Sequence, residues 1–218
     1  MEAAREQKVK HFLMSSSSSV YGANSKMPFT EIEKADTQLT IYAATKKANE
    51  SMAHSYSHLW KIPTTIFRFF TVYGPWGRPD MALYKFTDKI LKNKNIEVYN
   101  HGEMYRSFTY IDDVAAAVVK ILANIDKLKS HKTPFKILNI GSNKSEKLSK
   151  FINLIEKNLK IKAIKKNLPI QKGDTNATKA NLKELKKFIN FIPNTNIEKG
   201  IKKFIFWYKN YYYKKNDK

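Results

Sequence analysis

The sequence of 218 residues contains no cysteine, and this absence excludes disulfide bonds, thiolate zinc sites and cysteine nucleophiles. No apolar stretch approaches the ~20 residues that span a bilayer, and the first six residues do not have the pattern of a signal peptide. The lack of cysteine also agrees with a reducing compartment. We therefore expect a cytoplasmic protein with no membrane partner, and its 42% hydrophobic residues exclude a wholly disordered chain.

Arginine is scarce although the chain is strongly basic. Lys and Arg total 40 against 19 Asp and Glu, a formal net charge of +21, yet only Arg5, Arg68, Arg78 and Arg106 are arginine, which leaves 36 lysines. Lysine lacks the planar fork with which arginine reads guanine or clamps phosphate. Because the lysines are also spread along the chain, the composition argues against nucleic acid as a partner. A basic nucleic-acid-binding protein, which would need a concentrated positive stripe, is the weakest alternative.

Apolar strand-like runs alternate with helical patterns along most of the chain. The sequence predicts strands at 9–14, 64–70, 96–99, 107–110 and 135–140, and helices near 43–60, 81–93, 112–125 and 149–159. Two further helices are predicted near 178–189 and 196–212. This alternation favours an α/β fold with a largely parallel sheet.

Tyr42 and Lys46 lie four residues apart at the start of a predicted helix, so they share one helical face and the ammonium can stabilise a phenolate. The spacing alone is not specific, because about two such pairs are expected by chance in this composition. A second pair, Tyr211 and Lys215, lies in the polar C-terminal tail. Position favours the first pair, since its helix follows a strand that runs into the serines at 15–19, a candidate ligand loop.

The segment 16–22, SSSSVYG, followed by Tyr42-x-x-x-Lys46, resembles the extended short-chain dehydrogenase/reductase family that acts on nucleotide sugars. The 25 positions between Ser17 and Tyr42 match the family's spacing between its active-site serine or threonine and its tyrosine. The segment 68–82, RFFTVYGPWGRPDMA, is more specific and resembles the UDP-glucuronate 4-epimerase branch. Segments 105–114 and 171–174 resemble later nucleotide-sugar segments of the family, and the likeness extends over about residues 3–209.

The resemblance implies a fold and a domain division. The expected fold is α/β, a partial Rossmann-like doubly wound parallel sheet lacking its first strands, with a small C-terminal α/β substrate-binding region. Residues 1–75 would be the C-terminal part of an NAD-binding domain that carries the catalytic residues. Residues 76–218 would mostly form a nucleotide-sugar-binding region, with elements near 107–140 returning to the sheet.

The resemblance also implies an isomerase that uses NAD as its cofactor and a UDP-sugar as its substrate. Tyr42 would remove the proton of the sugar 4-hydroxyl while hydride leaves C4, Ser17 would hydrogen-bond the 4-oxygen, and Lys46 would stabilise the phenolate and hold the nicotinamide ribose. The 4-keto sugar would turn over and regain hydride on its other face, which converts UDP-glucuronate to UDP-galacturonate. Tyr42, Lys46 and Phe69 would contact the cofactor.

Six substrate-binding residues are implied in the same way: Ser18, Ser19, Thr71, Arg78, Arg106 and Asp174. Arg78 and Thr71, with the two serines, would hold the sugar carboxylate, Arg106 would face the diphosphate, and Asp174 would accept a hydroxyl hydrogen bond. Purely structural alternatives stay open: a surface residue for Arg78, a backbone contact for Thr71 and a turn former for Asp174. Related dehydratases carry an Asp-Glu pair where Ser18 and Ser19 stand, and related decarboxylases carry an acidic residue where Ser19 stands, so the resemblance favours epimerisation over elimination or carbon loss.

Glu50, His54 and His58 fall four residues apart and offer a competing zinc hypothesis. No further ligand cluster accompanies them, so we expect no metal. By resemblance, the same helix, 43–60, would form a homodimer interface.

None of the seven glycines forms the Gly-x-Gly-x-x-Gly or Gly-x-x-Gly-x-x-Gly turn that holds a dinucleotide pyrophosphate. By resemblance to the family, the chain starts inside the helix before the fourth strand of the Rossmann sheet, so roughly 100 residues with the first three strands would be absent. Strand 9–14 would then have an open edge. A separately encoded N-terminal half would then be a partner. The alternative to an active enzyme is a truncated, non-catalytic nucleotide-sugar-binding remnant.

Overall fold

Helices and strands alternate along residues 1–129 and 131–213, the part of the chain that the computed structural model describes. In chain order they are α1 (Glu2–Glu6), β1 (Phe12–Ser17), α2 (Ile41–Trp60), β2 (Thr64–Phe69), β3 (Thr71–Tyr73), α3 (Ala82–Leu91), β4 (Ile96–Tyr99), β5 (Tyr105–Arg106), β6 (Phe108–Tyr110), α4 (Ile111–Leu122), α5 (Asp126–Lys129), β7 (Phe135–Ile140), β8 (Glu146–Lys147), α6 (Leu148–Leu159), β9 (Lys165–Leu168), α7 (Lys183–Ile189) and α8 (Ile197–Trp207). A 3₁₀ turn, Ser18–Tyr21, follows β1, another, Asn100–Gly102, follows β4, and a π-helix, Tyr208–Tyr213, continues α8. The expected α/β architecture is confirmed.

A three-stranded parallel sheet in the order β1-β2-β7 lies at the centre of the fold. Its register aligns Ser17 with Phe69 and Phe69 with Ile140, so all three carboxyl ends meet at one edge. Three two-stranded sheets complete the strand pairing of the described residues: β3-β6 and β4-β9 are parallel, and β5-β8 is antiparallel. The largely parallel arrangement places the ends of successive strands, where ligands bind in such folds, on one side.

The first strand is displaced from its predicted position of 9–14 and spans Phe12–Ser17 instead. Lys8 adopts a left-handed conformation with φ 47°, which ends the preceding helical turn and delays the strand. Ser15 to Ser17 belong to the strand because they pair with Phe67 to Phe69 of β2. The prediction of a serine loop was therefore wrong for these three residues, since long-range pairing outweighs the weak strand propensity of serine.

Helix α2 has well-defined ends. The Thr40 side chain accepts a hydrogen bond from the Ala43 amide at 3.1 Å and caps the first turn. At the other end Lys61 takes a left-handed conformation and Pro63 follows shortly after, so the helix cannot continue. The Thr40 cap fixes where α2 begins, and the first turn of the helix carries Tyr42.

Two hydrophobic clusters hold the elements together. One surrounds α3, α6 and α8 and includes Phe108 and Phe151, whose rings stack with centroids 4.3 Å apart. The other packs β2 and β7 against α4 and α7 and includes Leu138 and Leu185. The division into residues 1–75 and 76–218 stays a prediction. None of the helices in the two described ranges is long and apolar enough to cross a membrane.

Gly200 of α8 generates a testable prediction, because it allows Tyr73 to approach the helix closely. A Cβ at this position would overlap the Tyr73 hydroxyl and would lie 2.7 Å from two ring carbons. Glycine-to-alanine changes inside helices usually stabilise by about 0.5–1 kcal/mol, but Gly200→Ala should lower the free energy of unfolding by about 1–3 kcal/mol through overpacking. Urea denaturation measures the change.

Two variants control this prediction. Tyr73→Phe in the Gly200→Ala background removes the nearest overlapping atom and should restore part of the lost stability, whereas Lys202→Ala on the exposed face of α8 should change stability little. A Gly200→Ala protein as stable as the parent would contradict the close contact between Tyr73 and α8.

Candidate active site

The carboxyl end of β1 presents a cluster of serine hydroxyls. Ser17 ends the strand, and its Oγ accepts a hydrogen bond from the Ser19 amide and donates one to Ser19 Oγ, both at 3.1 Å. These bonds fold Ser18 and Ser19 into the 3₁₀ turn that leaves the sheet. The predicted active-site serine and its two neighbours are therefore held at the edge of the sheet where the strand ends meet.

The first turns of α2 bring Tyr42 and Lys46 to the same edge. Lys46 Nζ donates a hydrogen bond to the Ser15 carbonyl at 2.9 Å, which ties the helix to the end of β1. The ammonium lies 5.8 Å from the centroid of the Tyr42 ring, and the Tyr42 side chain is exposed. The structure thus brings together Ser17, Tyr42 and Lys46, as the sequence predicts. Lys215 of the second tyrosine–lysine pair lies outside the described residues.

All ten predicted site residues line two cavities. The larger, of about 670 Å³, is lined by Ser17, Ser18, Ser19, Tyr42, Lys46, Phe69, Thr71 and Arg78, and also by aromatic residues of the first cluster. The smaller, of about 410 Å³, is lined by Ser18, Ser19, Tyr42, Thr71, Arg106 and Asp174. Four residues, Ser18, Ser19, Tyr42 and Thr71, line both, so the two cavities adjoin at the candidate catalytic residues.

Arg106 and Asp174 form an ion pair in the smaller cavity. Arg106 Nη2 donates to Asp174 Oδ1 at 2.7 Å, and Nη1 donates to the Tyr105 carbonyl at 2.9 Å. Burial lowers the pKa of Arg106 and the Asp174 carboxylate opposes that shift. Asp174 Oδ1 also accepts a hydrogen bond from the Thr175 amide, and the Asp174 amide donates to the Gln171 carbonyl. The alternative of a turn former therefore describes part of the role of Asp174. The arginine predicted to face the diphosphate therefore lines the smaller cavity as part of an ion pair, and its Nη1 has a second N–H besides the one that donates to the Tyr105 carbonyl.

Arg78 and Thr71 line the larger cavity together with Tyr42. Arg78 belongs to the loop between β3 and α3, and its guanidinium pairs side-on with Asp80 while lining the larger cavity. Thr71 is half-buried in β3, opposite Phe108 of β6. Within the two described ranges the Thr71 hydroxyl makes no hydrogen bond to the backbone. The alternative that Thr71 only bonds the backbone is therefore not supported.

Sequence reasoning missed a buried ionic network beneath these residues. Arg68 Nε and Nη2 donate to the two carboxylate oxygens of Glu50 at 2.9 and 2.8 Å, and Ser16 Oγ donates to Oε1 at 2.6 Å. The Arg68 and Glu50 side chains are only 2% and 3% exposed. The guanidinium also lies 4.7 Å from the Tyr21 ring centroid, and the Tyr21 hydroxyl donates to Asn139 Oδ1 at 2.7 Å. The network joins α2, β1, β2, β7 and the 3₁₀ turn.

The protonation of this network follows from its geometry. Burial alone would raise the pKa of Glu50, but the hydrogen bonds and charge of Arg68, with help from Ser16 and Lys47, hold that pKa below its ordinary value. Burial raises the pKa of Tyr21 to about 12, although Arg68 opposes the shift. The ion pair is therefore charged, and Tyr21 is neutral at physiological pH.

One signal in the sequence could have revealed the pair. Arg68 is a single charge inside the apolar strand 64–70, and an arginine buried in a strand requires a carboxylate partner. Glu50, placed instead in the zinc hypothesis with His54 and His58, is that partner. Its oxygens are occupied, and residues 1–129 and 131–213 contain no cluster of three or more His, Asp or Glu suited to a metal.

Comparison with known proteins decides the family. Residues 1–141 match the NAD dependent epimerase/dehydratase family. The chain belongs to this family. The match includes β1, α2, β2 and the loop carrying Arg78, so it contains nine of the ten predicted site residues, and only Asp174 lies beyond it.

Individual family members are similar over almost the whole chain. A 37.6 kDa protein in the cld 5' region of Escherichia coli O111:H- is 47% identical over 97% of the chain, and a probable UDP-glucuronate 4-epimerase of Rhizobium meliloti is 44% identical over 97%. The structure of a Bacillus cereus UDP-glucuronic acid 4-epimerase with UDP-glucuronic acid and NAD has a TM-score of 0.88 at 29% identity over 97% of the chain. The chain spans about two thirds of these proteins: 67%, 66% and 65% of their lengths.

The buried ion pair of this family member generates a stability prediction. Arg68→Met would leave the Glu50 carboxylate buried without its main partner, so the free energy of unfolding should fall by about 3 kcal/mol. Replacing both residues, Arg68→Met with Glu50→Leu, removes both charges and should be less destabilising than Arg68→Met alone. Urea denaturation tests the order, and a double variant less stable than the single would refute the explanation.

The lowered pKa of Glu50 generates a second prediction. A carboxyl whose pKa is lower in the folded state contributes stability above its unfolded pKa and loses it as the pH falls through the folded pKa. The stability difference between the parent and Glu50→Gln should therefore be largest near neutral pH and shrink as the pH falls below about 4. Urea denaturation over this pH series measures it, and a difference independent of pH would contradict the role of the charged carboxylate.

Proposed function

We propose that this chain forms the catalytic and substrate-binding part of an NAD-dependent UDP-hexuronate 4-epimerase. Its reaction would convert UDP-glucuronate to UDP-galacturonate by transient oxidation at C4. One observation carries the proposal: the ten residues line two adjoining cavities that share Ser18, Ser19, Tyr42 and Thr71. Such a shared wall suits a substrate whose sugar lies at the catalytic residues and whose diphosphate extends towards Arg106.

The arrangement of Ser17, Tyr42 and Lys46 supports proton transfer at the sugar 4-hydroxyl. Tyr42 is exposed in the larger cavity and so can meet a hydroxyl group there. A phenol is a poor base unless a neighbouring cation stabilises its anion, and Lys46 is placed on the same helical face. Ser17 would hold the 4-oxygen, first as hydroxyl and then as ketone, and the proton would return from Tyr42 after the sugar turns.

The polar groups around Tyr42 support an acidic sugar. Arg78 provides charge-assisted donors for a carboxylate, and Thr71, Ser18 and Ser19 provide hydroxyls. No carboxylate replaces Ser18 or Ser19 at the turn, so the acid groups that would promote elimination or carbon loss are not at these positions. Epimerisation without loss of atoms is the reaction that this set favours.

The larger cavity fits the nicotinamide end of NAD. Lys46 would hold the nicotinamide ribose, and Tyr42 and Phe69 would lie against the ring, since all three line the cavity at the carboxyl ends of β1 and β2. When bound, NAD would accept hydride from C4 and return it. The sequence has no glycine-rich pyrophosphate turn, so we propose that these residues hold one end of the cofactor only.

The remaining partners are proposals as well. Among the described strands β1 pairs only with β2, so its outer edge can accept a further strand, and a separately encoded N-terminal half would supply it. Helix α2 exposes Ile41, Met52, Leu59 and Trp60, an apolar surface that suits a homodimer. We also propose the domain division after residue 75. Residues 1–75 would contribute the catalytic residues, and residues 76–218 would contribute Arg78, Arg106 and Asp174 to substrate binding.

The test is C4 epimerisation of UDP-glucuronate by the purified chain with NAD, followed by anion-exchange separation of UDP-galacturonate. The assay is run with the chain alone and with the region of the Rhizobium meliloti relative that lies outside the similarity. Tyr42→Phe removes the proposed base and should reduce turnover about 100-fold or more. Tyr56→Phe removes a hydroxyl from the same helix that donates to Glu2 and lines neither cavity, so it is the matched control and should retain turnover.

The outcomes separate the alternatives. Equal turnover by Tyr42→Phe and the parent would overturn the role of Tyr42. Binding of UDP-glucuronate without turnover in either mixture would favour the non-catalytic remnant. Absence of any UDP-sugar binding would refute the proposed function, and salt-sensitive retention on DNA would then favour the nucleic-acid alternative.

A further inference from the structure

The loop that carries Arg78 is braced at several points. It connects β3 to α3, and the Gly77 amide donates to the Gly74 carbonyl at 3.2 Å while the Met81 amide donates to the Arg78 carbonyl at 3.1 Å. Trp76 adopts a left-handed backbone with φ 63°, and its ring lies 5.3 Å from that of Trp207 in α8. The backbone on both sides of Arg78 is therefore held, and the direction of its guanidinium depends on what the side chain contacts.

Asp80 contacts the side edge of that guanidinium. Arg78 Nε donates to Asp80 Oδ1 at 3.0 Å and Nη2 donates to Oδ2 at 2.8 Å, a two-bond fork. The Met81 sulfur lies 3.8 Å from Nη2 on the same side. Nη1, by contrast, has no hydrogen-bond partner anywhere in residues 1–129 and 131–213. The end of the guanidinium bearing Nη1 thus keeps two free donors.

Arg78 lies close to the candidate base. It lines the larger cavity together with Tyr42 and Thr71, and the Tyr42 phenol contributes to the raised pKa of Arg78, after the larger contribution from Asp80. The Arg78 and Asp80 side chains are 73% and 60% exposed. An exposed ion pair of this kind contributes little to folding stability, so stability does not account for a fork between residues two apart.

We propose that Asp80 is a positioning residue that holds the side edge of Arg78 and leaves the Nη1 end for the carboxylate of the sugar. The inference rests on the proposed function, in which Arg78 binds that carboxylate. Asp80 itself does not touch the substrate. It would give the site its selectivity for an acidic sugar over a neutral one, because a fixed guanidinium presents its donors at the position of the carboxylate before binding.

The opposite interpretation, in which Asp80 competes with the substrate, predicts the opposite change in affinity for the acidic sugar. Asp80 would be a competitor if the sugar carboxylate had to displace it from the same edge of Arg78. The free Nη1 donors favour positioning, since a carboxylate can bind there without breaking either existing bond. Removal of the Asp80 charge should then weaken binding of the acidic sugar, whereas removal of a competitor would strengthen it.

The test compares binding of UDP-glucuronate and UDP-glucose by calorimetry for the full chain and for Asp80→Asn. Asparagine keeps the size of the side chain but presents an amide donor in place of one carboxylate acceptor. The Kd for UDP-glucuronate should rise about 5-fold or more, because the guanidinium is no longer fixed, and the Kd for UDP-glucose should change less than about 2-fold. Asp126→Asn, an exposed ion-pair carboxylate that lines neither cavity, is the matched control for the change in net charge.

A double-variant cycle identifies the route of the effect. In an Arg78→Met background Asp80→Asn should leave the ratio of the two Kd values unchanged, because there is no guanidinium to position. A persistent effect in that background would mean that Asp80 acts by long-range charge and would overturn the inference. Asp80→Glu retains a carboxylate and should recover part of the selectivity that Asp80→Asn loses.

The inference and the proposed function fail in different ways. If the parent chain binds neither nucleotide sugar, the proposed function falls and the inference falls with it. If the parent prefers UDP-glucuronate and Asp80→Asn has the same preference, only the inference falls. Tighter binding of UDP-glucuronate by Asp80→Asn would show that Asp80 competes with the substrate.

Discussion

The buried ion pair between Arg68 and Glu50 constrains the rest of the structure more than any other interaction. A guanidinium and a carboxylate that are 2% and 3% exposed have lost their water, and only near-ideal geometry offsets that cost. The pair meets this condition with two direct bonds, a third from Ser16 and the ring of Tyr21 beneath the cation. Because a buried charge without its partner is strongly unfavourable, the elements that carry these groups have little freedom to shift.

The ion-pair network constrains the candidate site because its residues are close neighbours in sequence of the predicted site residues. Ser16 precedes Ser17 in β1, Arg68 precedes Phe69 in β2, and Glu50 follows Lys46 by one helical turn in α2. Each element that contributes one of the predicted catalytic or cofactor-binding side chains is thus anchored by the residue next to that side chain or one turn away. The Lys46 bond to the Ser15 carbonyl adds an anchor above the ion pair. The network therefore sets the separation of the three elements, while the side chains at the surface of the site remain accessible.

The sequence predicts individual helices and strands well, and contacts between residues distant in sequence poorly. Helix 149–159 and strand 135–140 have strong periodicity and clear boundaries, and both are confirmed to within one residue. The fold class follows from the alternation of strands and helices, and the ten residues that the resemblance implies line the two cavities, while their roles stay predictions. The extension of β1 through Ser17 and the partner of Arg68 were missed because each depends on a contact between residues distant in sequence. Composition and periodicity describe one element at a time: the lone charge in strand 64–70 indicates that Arg68 needs a carboxylate partner, but not which carboxylate it is.

The use of arginine gives the strongest link between composition and site. Every one of the four arginines pairs with a carboxylate: Arg5 with Glu2, Arg68 with Glu50, Arg78 with Asp80 and Arg106 with Asp174. Lysine supplies the other 36 positive charges. In two of the four pairs, Arg68 with Glu50 and Arg78 with Asp80, the planar guanidinium meets both carboxylate oxygens, a geometry that lysine cannot provide. Three of these four pairs lie in or beneath the two cavities. In a chain so rich in lysine, the positions that require fixed donor directions, and not merely positive charge, therefore coincide with the candidate active site.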